Sequence, residues 1–235
     1  MRNFLKIHGK TVLFGIYAGM AIGVGGLLNI LANTYLAETP FLARLVGSVL
    51  FPIGLTMVCV LELNLFTGKI GYVLDNDKKY LAFLGLVYLG NIIGSLIFGG
   101  WCLVVFKDSS FYSTALSISN SKLYEPSFLN IVKFFSGSVL CGALVYIAIL
   151  CYKSFRKPWA RLLGIFVSIG IFVFCKFDHC VANMFYFTFS WKWTNPLSYL
   201  NIGVVTLGNS LGAIALNEGY KALKKLRAKN EEKSI

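Results

Sequence analysis

The stretch that most restricts this chain sets charge inside apolarity. From Leu162 to Phe174 almost every residue is apolar, and Phe185-Tyr186-Phe187 continues that character. Between them stand Lys176, Asp178, His179 and Asn183. Ionisable side chains are expensive in hydrocarbon, so they face a bundle interior or a wet cavity. His179 is therefore expected in the middle of a path across a membrane.

Similar apolar runs recur along the chain. The composition is 57% apolar and 14% charged, against about 25% charged in a soluble domain. The apolar residues come in blocks of about 20, the length a helix needs to cross a bilayer. The expected fold is an all-α integral membrane protein with six transmembrane helices. The spans fall at about 11–33, 44–74, 80–106, 129–152, 162–188 and 197–216. The first run is too long for a signal-peptide core and reads as a retained span behind a basic segment, 1–10. Segments 35–43, 107–128, 153–161 and 189–196 read as loops, and 217–235 as a charged tail. The 23 glycines suit helices packed backbone to backbone.

Charge placement sets the orientation. Of the 22 Lys and Arg residues, fifteen lie in the N-terminal segment, the 75–79 turn, the 153–161 loop and the tail. Five lie on the opposite side, and Lys69 and Lys176 lie within spans. The excess places both termini in the cytoplasm of a plasma (inner) membrane protein. It also explains much of the +12 net charge by contact with anionic lipid, without nucleic acid.

The halves resemble each other. Leu89-Gly90-Asn91 in the third span returns as Leu207-Gly208-Asn209 in the sixth, 118 positions later. The same offset carries Gly19 onto Gly137, and brings the polar break of the second span onto that of the fifth. Three spans per half give halves of opposite orientation. In such inverted repeats, interrupted helices at matching positions mark the substrate site. The chain is thus read as one channel domain, 1–235, with repeats at about 11–106 and 129–216 and helices 2 and 5 interrupted.

The first break, Leu65-Phe66-Thr67-Gly68-Lys69, offers a hydroxyl and a cation. Half-helix N-termini there would present N–H donors to anions. At the second break, His179 and Asn183 stand four residues apart and share a helical face. Two readings stand for them: they hold a small anion, or they bond to the broken-helix backbone and only maintain the fold. The first is preferred, because intramembrane ionisable groups are functional by default. Asp178 either fixes the histidine or pairs with Lys176. Glu62 is expected to partner a backbone group or Lys69, and Asn91 and Asn209 to bond between helices.

Other chemistries are excluded. The six cysteines form no Cys-x-x-Cys pair and read as small hydrophobes. With two histidines, one of them in the N-terminal segment, neither a metal site nor a cofactor is expected. No nucleotide loop or hydrolase constellation occurs, so the chain is not read as an enzyme.

Leu65-Phe66-Thr67-Gly68, Asp178-His179-Cys180-Val181-Ala182-Asn183-Met184 and Thr206-Leu207-Gly208-Asn209 together resemble the formate/nitrite transporter family. The resemblance spans essentially the whole chain. It implies an aquaporin-like protomer in a homopentamer, one pore each, passing small monovalent anions such as formate, nitrite or hydrosulfide. By matching positions, Thr67, His179 and Asn183 become the central polar residues, with Lys69 in the same loop. Phe51, Leu55, Leu65, Val145 and Phe172 fall where that family narrows its pore, and Phe66 lies in the interrupting loop. Asn64 stands where the family usually has an acid. Cys141-Gly142-Ala143 stands where it often has asparagine. With Lys69, these departures lean the reading towards hydrosulfide. The alternative is an aquaporin-like channel for small neutral solutes, of which Asn195-Pro196-Leu197 is the one faint trace.

Overall fold

The computed structural model describes residues 2–233, with the side chains of residues 8–230. All regular structure among them is helical: α1 Arg2–Tyr35, α2 Pro40–Leu50, α3 Pro52–Val60, α4 Phe66–Lys69, α5 Lys79–Phe106, α6 Ser110–Asn120, α7 Phe128–Ser154, α8 Pro158–Phe174, α9 Cys180–Phe189 and α10 Pro196–Lys233. Two 3-10 turns, Ile70–Asp75 and Lys192–Thr194, complete the order. Five segments have the length and composition to cross a membrane: His8–Tyr35, Pro40–Val60, Lys79–Phe106, Phe128–Ser154 and Pro196–Asn230. α8 and α9 are apolar but shorter.

Four boundaries differ from expectation. α2 begins at Pro40, inside the segment 35–43 read as a loop, because proline suits the first turn of a helix. The basic N-terminal segment is continuous with α1, and the tail with α10. The Ser-rich 107–128 segment contains α6, which buries Ala115 and Ser119. Ser119 donates to the Tyr186 carbonyl of α9 at 3.1 Å, tying α6 to the second break. α2 and α3 meet at Pro52, which lacks an N–H, so the helix bends there without ending.

α1 lies along α5, and α7 along α10. Both pairs approach through small residues. Gly94 sits on the Ile16 carbonyl and Gly212 on the Val139 carbonyl, and a Cβ at either would overlap backbone. Gly19 lies on the Asn91 backbone. The residue so placed on Asn209 is Gly142, five positions beyond the expected Gly137, which faces Phe177. A single offset therefore does not relate the two halves. Asn91 and Asn209 keep 118, but α8 has 17 residues against 21 in Pro40–Val60. The second break therefore arrives one turn early.

Candidate functional site: two helix breaks above an apolar chamber

The breaks are replicas at an offset of 114. At the first, Leu63 N–H donates to Val58 O at 2.9 Å and Glu62 N–H to Cys59 O at 3.3 Å. At the second, Phe177 N–H donates to Phe172 O at 2.9 Å and Lys176 N–H to Val173 O at 3.0 Å. This is the Schellman ending, whose penultimate residue is left-handed. Glu62 has φ 53° and Lys176 φ 58°. Each chain then extends and re-enters a helix, at Leu65 (φ −96°, ψ 127°) and at His179 (φ −114°, ψ 122°).

Two asparagines close the freed backbone groups. Asn91 Oδ1 accepts from Phe66 N–H at 2.8 Å, while its amide donates to Gly15 O and Asn64 O, both at 2.9 Å. Asn209 Oδ1 accepts from Cys180 N–H at 2.9 Å, and its amide donates to Ser138 O at 2.8 Å and Asp178 O at 2.9 Å. Irregular backbone at membrane depth is tolerated where protein satisfies it in this way. The interhelical role expected of both residues is what their geometry provides. It also consumes donors. Cys180 N–H goes to Asn209, and Ala182 N–H goes to His179 Nδ1 at 3.3 Å, so much of the α9 N-terminus is already occupied.

That last bond orients the imidazole. Nδ1 accepts, so in the neutral ring the hydrogen sits on Nε2. Nε2 lies 2.8 Å from Thr67 Oγ1, a pairing that joins the two breaks across 112 positions. Nε2–H donates to Thr67, whose own hydrogen remains available to a third group. A cationic ring would set a second N–H against that of Ala182. The structure thus brings Thr67 and His179 together.

Asp178 neither fixes the histidine nor pairs with Lys176. Its Oδ1 lies 2.5 Å from Lys122 Nζ and accepts from Asn183 Nδ2 at 2.9 Å. Asn183 gives its other amide hydrogen to Asn201 Oδ1 at 2.8 Å, and Asn201 donates to Lys122 O at 3.1 Å. Both Asn183 hydrogens are therefore spent on protein, and its Oδ1 is buried without a partner. Lys122 was assigned to a loop by sequence; only its approach to Asp178, 56 positions away, marks it.

Two cavities meet at His179. One is a vestibule of about 760 Å³ whose charged lining is Arg44, Lys122, Lys133, Lys176 and Asp178. The other is an apolar chamber of about 10 Å³, walled by Phe51, Leu55, Leu65, Val145 and Phe172 together with Ile22, Ile169 and His179. That is room for roughly one water. Phe51 and Phe172 border both spaces and stack edge to face at 5.6 Å between centroids. Phe172 also lies against the His179 ring, at 6.0 Å. Ile22 and Ile169 carried no sequence signal, being apolar residues within apolar runs.

Three anticipated residues border neither cavity. Thr67 is buried behind His179 and reaches the cavities only through that ring. Phe66 packs on Tyr88 at 4.8 Å and borders neither cavity. Lys69 borders neither and forms no ion pair among the described residues, and its carbonyl accepts from the Tyr80 hydroxyl at 3.0 Å. Glu62 forms no ion pair among the described residues.

Residues 5–221 match the family described as formate/nitrite transporter. The nitrite transporter NirC of Escherichia coli (strain K12) is 30% identical over 224 residues, covering 86% of this chain and 79% of that protein. The formate channel FocA of Haemophilus influenzae is 26% identical over 239 residues, covering 86% and 82%. Among solved structures, a pentameric formate channel with formate bound superposes with a TM-score of 0.80 at 24% identity, over 94% of this chain and 99% of that one. An FNT family ion channel superposes at 0.74 with 26% identity, over 94% and 91%.

Proposed function

Because the chain belongs to the formate/nitrite transporter family, a family of membrane channels and transporters for small anions, we propose that it carries a small monovalent anion through a pore within each protomer, with the Thr67–His179 pair at its centre. α8 and α9 together make the fifth of six crossings, and the two halves form inverted three-helix repeats over about 11–106 and 129–216. The vestibule faces away from the cytoplasm, where both termini lie, a reading that the Lys and Arg distribution supports. Five copies assemble, a reading supported by the pentameric formate channel of like fold. The lipid bilayer and the other protomers cover the exposed apolar flanks, such as Val104 and Leu207.

The single observation that carries the reading is the position of His179, which borders both the cationic vestibule and the apolar chamber and is hydrogen-bonded through Nε2 to Thr67. Cations concentrate anions at the mouth. The ion sheds water at Phe51 and Phe172, an apolar constriction of the kind that selects and gates. The Thr67 hydroxyl, released by the donating Nε2, replaces part of that hydration. Leu55, Leu65 and Val145 keep the chamber dry. Lys69 acts at the cytoplasmic mouth rather than the centre, and Asn183 acts by holding Asp178. With one free hydroxyl donor and apolar walls, an ion with a single soft centre loses less hydration than a two-oxygen carboxylate or nitrite. Within the class this favours hydrosulfide.

The test is flux in proteoliposomes with formate, nitrite, acetate, lactate and hydrosulfide at several pH values. Thr67→Val keeps the shape and removes the hydroxyl. Loss of one donor to a charged group, worth about 1.5–3 kcal/mol, lowers flux at least about ten-fold. Anion flux and pH dependence unchanged in both Thr67→Val and His179→Ala would overturn the central role.

A further inference from the structure

None of the 23 glycines has a positive φ, among the described residues, whereas Glu62, Lys176 and Trp191 do. A left-handed residue with a Cβ is strained, and glycine is the ordinary occupant of this position in a Schellman ending. Such strain persists where the surroundings impose it, and it clusters at functional sites. Here the unfavourable choice is made at both breaks, and each time the side chain is charged and exposed.

The surroundings of Lys176 say what its charge can do. It lines the vestibule three residues before His179. Lys122, which also lines that space, is neutralised by Asp178 at 2.5 Å. Lys176 has no carboxylate within ion-pair distance among the described residues. An uncompensated ammonium therefore stands beside the break that presents the imidazole. We propose that Lys176 is an anion-binding residue of the vestibule, a waiting site for a small monovalent anion, kept in left-handed backbone because glycine could supply the turn but not the charge. This rests on the transport reading above.

Three variants in proteoliposomes test it, with sodium formate and sodium hydrosulfide as permeants. Lys176→Gly removes strain and charge together. Its thermal midpoint in detergent is expected to rise by about 2 °C. Its half-saturating concentration is expected to rise about three-fold, with a weaker dependence of flux on ionic strength. Lys176→Gln removes the charge and keeps the strain, so it shows the flux defect without the thermal gain. Lys176→Arg retains the wild-type half-saturation. Wild-type half-saturation and salt dependence in both the Gly and Gln variants would overturn this assignment alone, as would an Arg variant indistinguishable from Gln. A wild-type protein without flux would instead defeat the transport reading, and this one with it.

Discussion

Replacing Asn209 by leucine removes a single amide that closes three backbone groups. Cys180 N–H (2.9 Å), Ser138 O (2.8 Å) and Asp178 O (2.9 Å) would all lose their partner in a site from which water is excluded. A buried group left unpaired costs about 1–3 kcal/mol. Interhelical hydrogen bonds in membrane proteins are smaller, about 0.6 kcal/mol on average. Three groups together therefore destabilise by roughly 2–5 kcal/mol, or about 4–20 °C at about 2–4 °C per kcal/mol for a chain of this size. Thermal unfolding of the purified protein in detergent measures this, with flux as a second readout, because the misplaced break also shifts His179. Asn209→Asp retains an acceptor for Cys180 N–H but turns its second oxygen on the Ser138 and Asp178 carbonyls, so as a buried carboxylate it should melt no higher than the leucine variant. Asn91→Leu should match Asn209→Leu, since Phe66 N–H, Gly15 O and Asn64 O depend on it in the same way. An Asn209→Leu protein melting within about 2 °C of wild type with intact flux would refute the argument that these amides hold the breaks.

Phe51→Ala opens the edge-to-face pair with Phe172, so lactate flux should rise relative to formate; an unchanged ratio in a size-graded carboxylate panel would count against the constriction. On the other flank, Lys221 and Asn217 donate to Asp75 and hold its carboxyl below the ordinary carboxylate range. A depressed value means that this contribution to stability is complete above about pH 4 and is lost as pH falls through the lower native value. Melting temperatures from pH 6 to pH 3 should therefore drop more steeply for wild type than for Asp75→Asn, and parallel curves would contradict the linkage.

Much of this protein follows from residue order alone. Apolar block length, the polar interruptions at 62–69 and 176–183 and the repeated Leu-Gly-Asn are properties of short stretches, and they identify a helical membrane chain with two breaks. Two buried asparagines in apolar helices must find partners, so Asn91 and Asn209 were legible as interhelical bonders. What pairs with what was not. Lys122 rather than Lys176 meets Asp178, Asn183 spends its hydrogens on protein, and Gly142 rather than Gly137 carries the α10 contact. Each depends on helix crossings between residues far apart in the chain, which no short stretch encodes. The left-handed backbone of Glu62 and Lys176 was hidden for a different reason. Local propensity points to glycine at such positions, and only the packed helices on either side can hold a charged residue there.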